Sequence, residues 1–230
     1  MFREIKEHVY RALSSLYDKG LIAYTWGNVS EIDHSRQYMA IKPSGLDLNH
    51  LHIEDIVIVD IKTGKVVEGD YKPSSDTSTH LELYRRFDTI GGIVHSHSTN
   101  AVAFSQAGMD IPILGTTHAD YFSGSIPCTR PLCDNEMEND YEINTGRVII
   151  ETIERRGYDP MSIPGIVVRN HGPFSWGVDA EQAVFYVGIM EIIAEMSFKT
   201  LCLNPNSEMP AKLIEKHWNR KNGPLAYYGQ

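Results

Sequence analysis

The segment IVIVDIKTGKVVEG, residues 56 to 69, places two short runs of β-branched residues on either side of Thr63 and Gly64. Side chains of that kind suit a pleated surface and a turn signal parts them, so the segment reads as a β-hairpin. A chain containing it is committed to a sheet. YMAIK at 38 to 42, GIVHSH at 92 to 97 and GIVVRN at 165 to 170 supply further strands.

Helical periodicity fills the intervals. Phe2, Ile5, Val9, Leu13 and Leu16 recur at helical spacing up to Gly20, which predicts an opening amphipathic helix with a glycine cap. THLELYRRF, NAVAFSQAG, TGRVIIETIERRG and KLIEKHWNRK read as helices as well. Asp179 with Gln182 three residues on forms a capping box for the longest helix, which runs to about Leu203. Strands cluster in the first half and mix with helices throughout, a pattern that predicts an α/β layer arrangement around one central sheet. Periodicity does not fix the strand order.

Composition narrows what such a fold carries. With 230 residues, 42% of them hydrophobic and 22% charged, the chain can bury a sizeable core as one domain spanning residues 1–230. Its 21 basic against 30 acidic residues give a formal charge of -9 with no basic run, so nucleic acid is not expected as a partner. The opening residues MFREIKEHVY mix charge with apolar side chains, unlike a secretory leader. The longest apolar stretch, AVFYVGIM, ends at Glu191, well short of the roughly 18 residues that a membrane span needs. Cysteines 128, 133 and 202 lack C-x-x-C spacing and fit a reducing compartment, so a cytoplasmic location is expected.

Chemistry concentrates in a few segments. In IVHSHSTN, His95 and His97 stand two residues apart on an expected strand, where alternation puts both on one face about 7 Å apart. Such a pair is either a polar strand end or two ligands of one metal ion. His171, in VVRNHGPFSWG, follows another apolar strand at a comparable position and supplies a third imidazole. Three histidines with an open fourth position make a catalytic rather than a structural zinc site, and Asp76 in KPSSDTSTH is the carboxylate best placed to join them. KPSG at 42 to 45 and KPSSD at 72 to 76 are ordinary turns or phosphate cradles, the second running into a helix N-terminus. Neither Walker A nor G-x-G-x-x-G occurs, so a nucleotide is not indicated.

TWGNVSEID, IKPSG, KPSSDTSTH, GGIVHSHSTNA, GTTHADYFSGSIPCTR, HGPFSWG and AYYGQ, in that order along the whole chain, closely resemble the class II aldolase and adducin family, and within it the L-ribulose 5-phosphate 4-epimerases. The resemblance implies a single α/β domain with a central, mostly antiparallel sheet flanked by helices. It implies that His95, His97 and His171 hold Zn2+, with Mn2+ or Co2+ acceptable to the same imidazoles, and that Asp76 lies on or beside the ion. Gly27, Asn28, Ser44, Gly45, Ser74 and Ser75 fall on substrate contacts, the last four being the phosphate cradle. Asp120 and Tyr228 match the proton acceptor and donor, with the tyrosine coming from a neighbouring subunit of a cyclic homotetramer. Tyr227 competes with Tyr228 for that role, and Thr116, Glu142 and His217 match supporting positions.

The reaction so implied interconverts L-ribulose 5-phosphate and D-xylulose 5-phosphate. The hydrogen on carbon 4 is not α to the carbonyl at carbon 2, so simple deprotonation is disfavoured. Oxidation at carbon 4 would need a nicotinamide, for which the sequence has no fingerprint. Metal-dependent retro-aldol cleavage between carbons 3 and 4, rotation of glycolaldehyde phosphate and re-addition remain.

Two other functions share these residues. A class II aldolase acting on L-fuculose or L-rhamnulose 1-phosphate would use the same histidines, but the resemblance puts a glutamate at position 76 in those enzymes and favours epimerases at the AYYGQ tail. A non-catalytic adducin-like module is disfavoured by the presence of all three histidines. Ser96, where relatives often carry threonine, and Ser78, where proline or alanine is common, are the departures from the pattern.

Overall fold

The computed structural model describes residues 2–224, 226 and 227. Its elements in chain order are α1 (Arg3–Asp18), β1 (Asn28–Ile32), β2 (Tyr38–Ile41), β3 (Val57–Asp60), β4 (Val66–Glu68), α2 (Thr77–Arg86), β5 (Gly92–His95), α3 (Thr99–Ala107), α4 (Thr116–Ala119), α5 (Asp134–Glu138), α6 (Tyr141–Arg156), β6 (Gly165–Val168), β7 (Gly172–Gly177), α7 (Ala180–Leu203) and α8 (Ala211–Asn222). The strands form one seven-stranded sheet in the order β4-β3-β2-β1-β5-β7-β6. Every neighbouring pair is antiparallel. The hairpin anticipated around Thr63 and Gly64 is β3-β4, with Gly64 in the left-handed region at φ 69°.

Strand alternation sorts the core onto the two faces of the sheet. Met39, Ile41, Val57, Val59, Ile93, Phe174 and Trp176 pack with Leu81, Leu83 and Tyr84 of α2 and Ile149 and Ile153 of α6. Their alternates Val29, Ala40, Ile58 and Val94 pack with Val9, Leu13 and Leu16 of α1 and Ala183, Val184 and Val187 of α7. The Asp179 cap forms as expected. Its Oδ1 accepts from the Gln182 amide at 2.7 Å, while Gln182 Oε1 accepts from the Val178 amide at 2.9 Å.

The structure adds two central strands that the sequence pattern hides. β1, NVSEI, is buried throughout although Ser30 and Glu31 are polar. Both are satisfied: Glu31 takes the amide of Ala180 at 2.8 Å and His8 Nδ1 at 2.7 Å, and Ser30 bonds to side chains of α2. β7, GPFSWG, begins with a glycine and a proline and so resembles a turn, yet it lies between β5 and β6. A strand expected at 92 to 97 stops at His95, and the one expected at 165 to 170 stops at Val168. Both histidine segments therefore begin where a strand gives out. Among the described residues no helix is long and apolar enough to cross a membrane.

Candidate active site

Register puts the site together. Asn28 of β1 is the partner of His95 on β5, and His95 is the partner of Phe174 on β7, so the three side chains form one row across the sheet on the face covered by α2. β5 ends at His95, and the chain turns so that His97 comes back beside it. The two Nε2 atoms lie 3.0 Å apart, so the rings converge at their tips. His171 closes the turn between β6 and β7. Asn170 adopts the left-handed conformation at φ 60°, and the His171 amide donates to the carbonyl of Val168 at 3.0 Å and to Ser105 Oγ at 3.1 Å.

One ligating atom from each of His95, His97 and His171 lies within 4.8 Å of the other two. His95 Nδ1 faces the carbonyl of Pro173 at 3.0 Å and must donate to it, which leaves Nε2 with a free lone pair aimed at His97. Two facing imidazole nitrogens 3.0 Å apart share either one proton or one cation. Ligands at about 2.05 Å from a tetrahedral ion stand about 3.3 Å apart, close to the spacing seen here. His171 Nδ1 is buried without a partner among the described residues. Burial drives His95 well below the usual imidazole range, reinforced by the neighbouring His171 and His97. His97 and His171 are also lowered by burial, against the opposing charge of Asp76. All three are thus neutral near pH 7, the state in which imidazole binds a metal. The donor set fits a divalent transition ion.

Asp76 begins α2 but does not cap it. Its Oδ2 instead accepts from Asn28 Nδ2 at 2.6 Å and lies 4.0 Å from His95 Nε2. The two Lys-Pro-Ser segments pair with each other. Ser44 donates its amide to the carbonyl of Lys72 at 2.9 Å and Ser74 donates to the carbonyl of Lys42 at 3.0 Å. With Gly27 they face the triad across a cleft of about 390 Å³, whose lining holds Gly27, Asn28, Ser44, Gly45, Ser74, Ser75, Asp76, His95, His97, Glu142 and His171. Gly27 has a specific reason to be glycine. At φ 74°, a Cβ there would stand 2.5 Å from Ile22 Cγ2 and 2.9 Å from the carbonyl oxygen of His95.

Lys42, Trp26 and Tyr141 are among the residues that line this cleft without having been anticipated. Lys42 is buried, donates to the carbonyls of Pro43 at 3.3 Å and Thr25 at 3.4 Å, and is lowered in pKa by burial. Its place inside the first Lys-Pro-Ser segment was the available signal. Trp26 and Tyr141 stand beside the triad, their rings 6.0 Å from His97 and 6.2 Å from His171 respectively. Trp26 lies inside TWGNVSEID and Tyr141 directly before Glu142, but neither side chain gives a ligating or acid-base signal of its own.

Asp120, Thr116 and His217 are not among the residues lining the cleft. Asp120 follows α4 and is bound by α8, accepting from Arg220 Nη2 at 2.7 Å and Nε at 3.0 Å and from His217 Nδ1 at 3.0 Å. Burial pushes the Asp120 carboxyl up, but Arg220 and His217 together outweigh it and hold it below the usual carboxylate range. Tyr228 lies outside the described residues.

Residues 7–198 match the family described as Class II Aldolase and Adducin N-terminal domain. Among solved structures the chain is similar to an L-fuculose 1-phosphate aldolase, at 24% identity and TM-score 0.79 over 94% of this chain and 95% of that one. It is also similar to YgbL from Escherichia coli, provisionally assigned as an aldolase/epimerase/decarboxylase, at 24% identity and TM-score 0.73 over 93% and 97%. The L-fuculose 1-phosphate aldolase from Glaciozyma antarctica PI12 shares the fold at 16% identity and TM-score 0.75, over 95% and 81%.

Proposed function

Because the chain belongs to the class II aldolase and adducin family, we propose that it is a metal-dependent L-ribulose 5-phosphate 4-epimerase. The observation that carries the reading is one cleft that joins three neutral imidazoles, a carboxylate and two paired Lys-Pro-Ser loops. Such a cleft suits a phosphorylated hydroxyketone, with its phosphate at one end and its oxygens at the other.

His95, His97 and His171 would hold Zn2+, Mn2+ or Co2+. When bound, the ion supplies Lewis-acid stabilisation for the charge that develops on the sugar's oxygens as the bond between carbons 3 and 4 opens. Ser44, Gly45, Ser74 and Ser75 retain the phosphate, with the buried ammonium of Lys42 beside them. Retention matters because the glycolaldehyde phosphate fragment must rotate and re-add on its other face rather than leave. Asn28 keeps the Asp76 carboxylate turned into the cleft. Asp120 and Tyr228 take and return the proton of the carbon 4 hydroxyl on opposite sides. The tyrosine comes from a neighbouring subunit of a homotetramer, and because Asp120 lies away from the cleft of its own chain we assign it to a neighbouring subunit's cleft as well. Free thiols at Cys128, Cys133 and Cys202 accord with a cytoplasmic setting.

The competing reading is a sugar 1-phosphate aldolase, with which the chain shares family and fold. An aspartate rather than a glutamate at position 76 speaks for the epimerase. Formation of D-xylulose 5-phosphate from L-ribulose 5-phosphate, lost on chelation and restored by added metal, is the experiment that tests it.

A further inference from the structure

Beneath the triad runs a buried polar chain to which the proposed reaction assigns nothing. His80, on the inner face of α2, is fully buried, and its Nδ1 lies 2.7 Å from Ser30 Oγ on β1. The same hydroxyl lies 2.8 Å from the Tyr84 hydroxyl, one turn further along α2, which reaches the carbonyl of Gly91 at 3.4 Å. Three polar side chains hidden together are costly unless each is satisfied, and His80 Nε2 has no partner among the described residues. Burial also lowers the His80 pKa to about 3, so the ring is neutral. A neutral imidazole that contributes nothing at one nitrogen needs a reason to be there.

The other side of the ring supplies the reason. His80 stands edge-on to Phe174, with centroids 6.2 Å apart at 70°. Phe174 stacks on His95 at 4.3 Å and 20°, and meets His171 at 5.9 Å and 78°. Phe174 is therefore the floor on which two of the three triad rings rest, and His80 is the wall that fixes it. His80 also lies four residues after Asp76, donating its amide to the Asp76 carbonyl at 3.1 Å, so the two share a helix face.

We propose that His80 is a positioning residue for the triad: pinned at Nδ1 by Ser30, its ring holds Phe174 in the plane that orients His95 and His171. A ring bonded through one nitrogen cannot turn without breaking that bond, whereas a side chain held by packing alone lets Phe174 rock. The inference rests on the triad being a metal site and extends that reading to a residue that touches neither metal nor substrate. Groups hydrogen-bonded behind metal ligands are worth about 10- to 100-fold in metal affinity, and a ring that acts through Phe174 is expected at the lower end of that range.

The test is titration of the full chain, stripped of metal, with Co2+, recording affinity and the visible absorption spectrum beside the unfolding midpoint of the metal-free protein. Ser30→Ala and His80→Leu should bind Co2+ about 10-fold or more weakly and with an altered spectrum. Variants that bind with wild-type affinity and spectrum overturn the positioning role, whatever happens to their unfolding midpoint. A wild-type chain that binds no Co2+ overturns the metal site itself and the inference with it. Should His80→Leu fail to fold, Ser30→Ala decides alone, since it removes one hydroxyl and leaves the ring in place.

Discussion

Asn28 Nδ2 donates to Asp76 Oδ2 at 2.6 Å, and this bond turns the carboxylate at the start of α2 away from its own helix end and toward His95. A side chain that sequence rules assign to helix capping is thereby diverted to the site. Asn28→Ala should release it. A buried hydrogen bond to a charged group contributes about 1.5–3 kcal/mol, so activity at low substrate should fall at least about 10-fold. The check is steady-state kinetics on protein of verified metal content; unchanged kcat/KM would show that Asp76 needs no partner.

His97→Asn removes one of two nitrogens that face each other at 3.0 Å. Bound metal per chain, measured by elemental analysis after dialysis, should fall well below that of the wild type. Full retention would show that His97 is not a ligand.

How the site was legible follows from where its residues sit. The three histidines and two Lys-Pro-Ser segments stand at strand ends and loops, where local sequence carries the signal, and all of them meet in one cleft. β1 and β7 escaped notice because their identity depends on tertiary partners: Ser30 and Glu31 are buried only because α1, α2 and α7 supply bonds to them. Pro173 is tolerated in an interior strand where it serves as an acceptor, its carbonyl taking His95 Nδ1 at 3.0 Å and the Ser96 amide at 3.3 Å. Trp26 and Tyr141 reach the cleft through the geometry of neighbouring turns, which no periodicity encodes. For Asp120 the sequence offers a residue type but not a location, and within the chain that location is at α8.

If Asp120 and Tyr228 serve a neighbouring subunit's cleft, subunits broken at different residues should repair one another. Asp120→Asn and His97→Asn proteins, each inactive alone, should regain part of the activity when unfolded together and refolded as a mixture. Mixed protein as inactive as its parents would place Asp120 in the same chain's site as His97.

Tyr228→Phe should lower turnover about 100- to 10,000-fold while leaving metal content intact, the range expected for a lost acid-base group. Tyr227→Phe should stay near wild type. The reverse pattern would transfer the role to Tyr227.

His118 should make the fold sensitive to acid. It is buried, donates Nε2–H to the carbonyl of Gly124 at 2.9 Å, and burial lowers its pKa from 6.5 to about 4. The unfolded chain takes up a proton near pH 6.5 while the folded chain resists, so stability is fully present above about pH 6.5 and is lost as pH falls toward 4. At pH 5 this one residue accounts for about 2 kcal/mol. Urea midpoints between pH 7.5 and 5 should fall more steeply for the wild type than for His118→Gln; equal slopes would remove His118 from the account.

The claim that both halves of the sugar are held until they rejoin is tested most directly by giving the metal-loaded protein L-ribulose 5-phosphate and L-fuculose 1-phosphate in separate reactions. The account predicts D-xylulose 5-phosphate from the first and no dihydroxyacetone phosphate from the second. Rapid release of dihydroxyacetone phosphate from the second, with no D-xylulose 5-phosphate from the first, would contradict it.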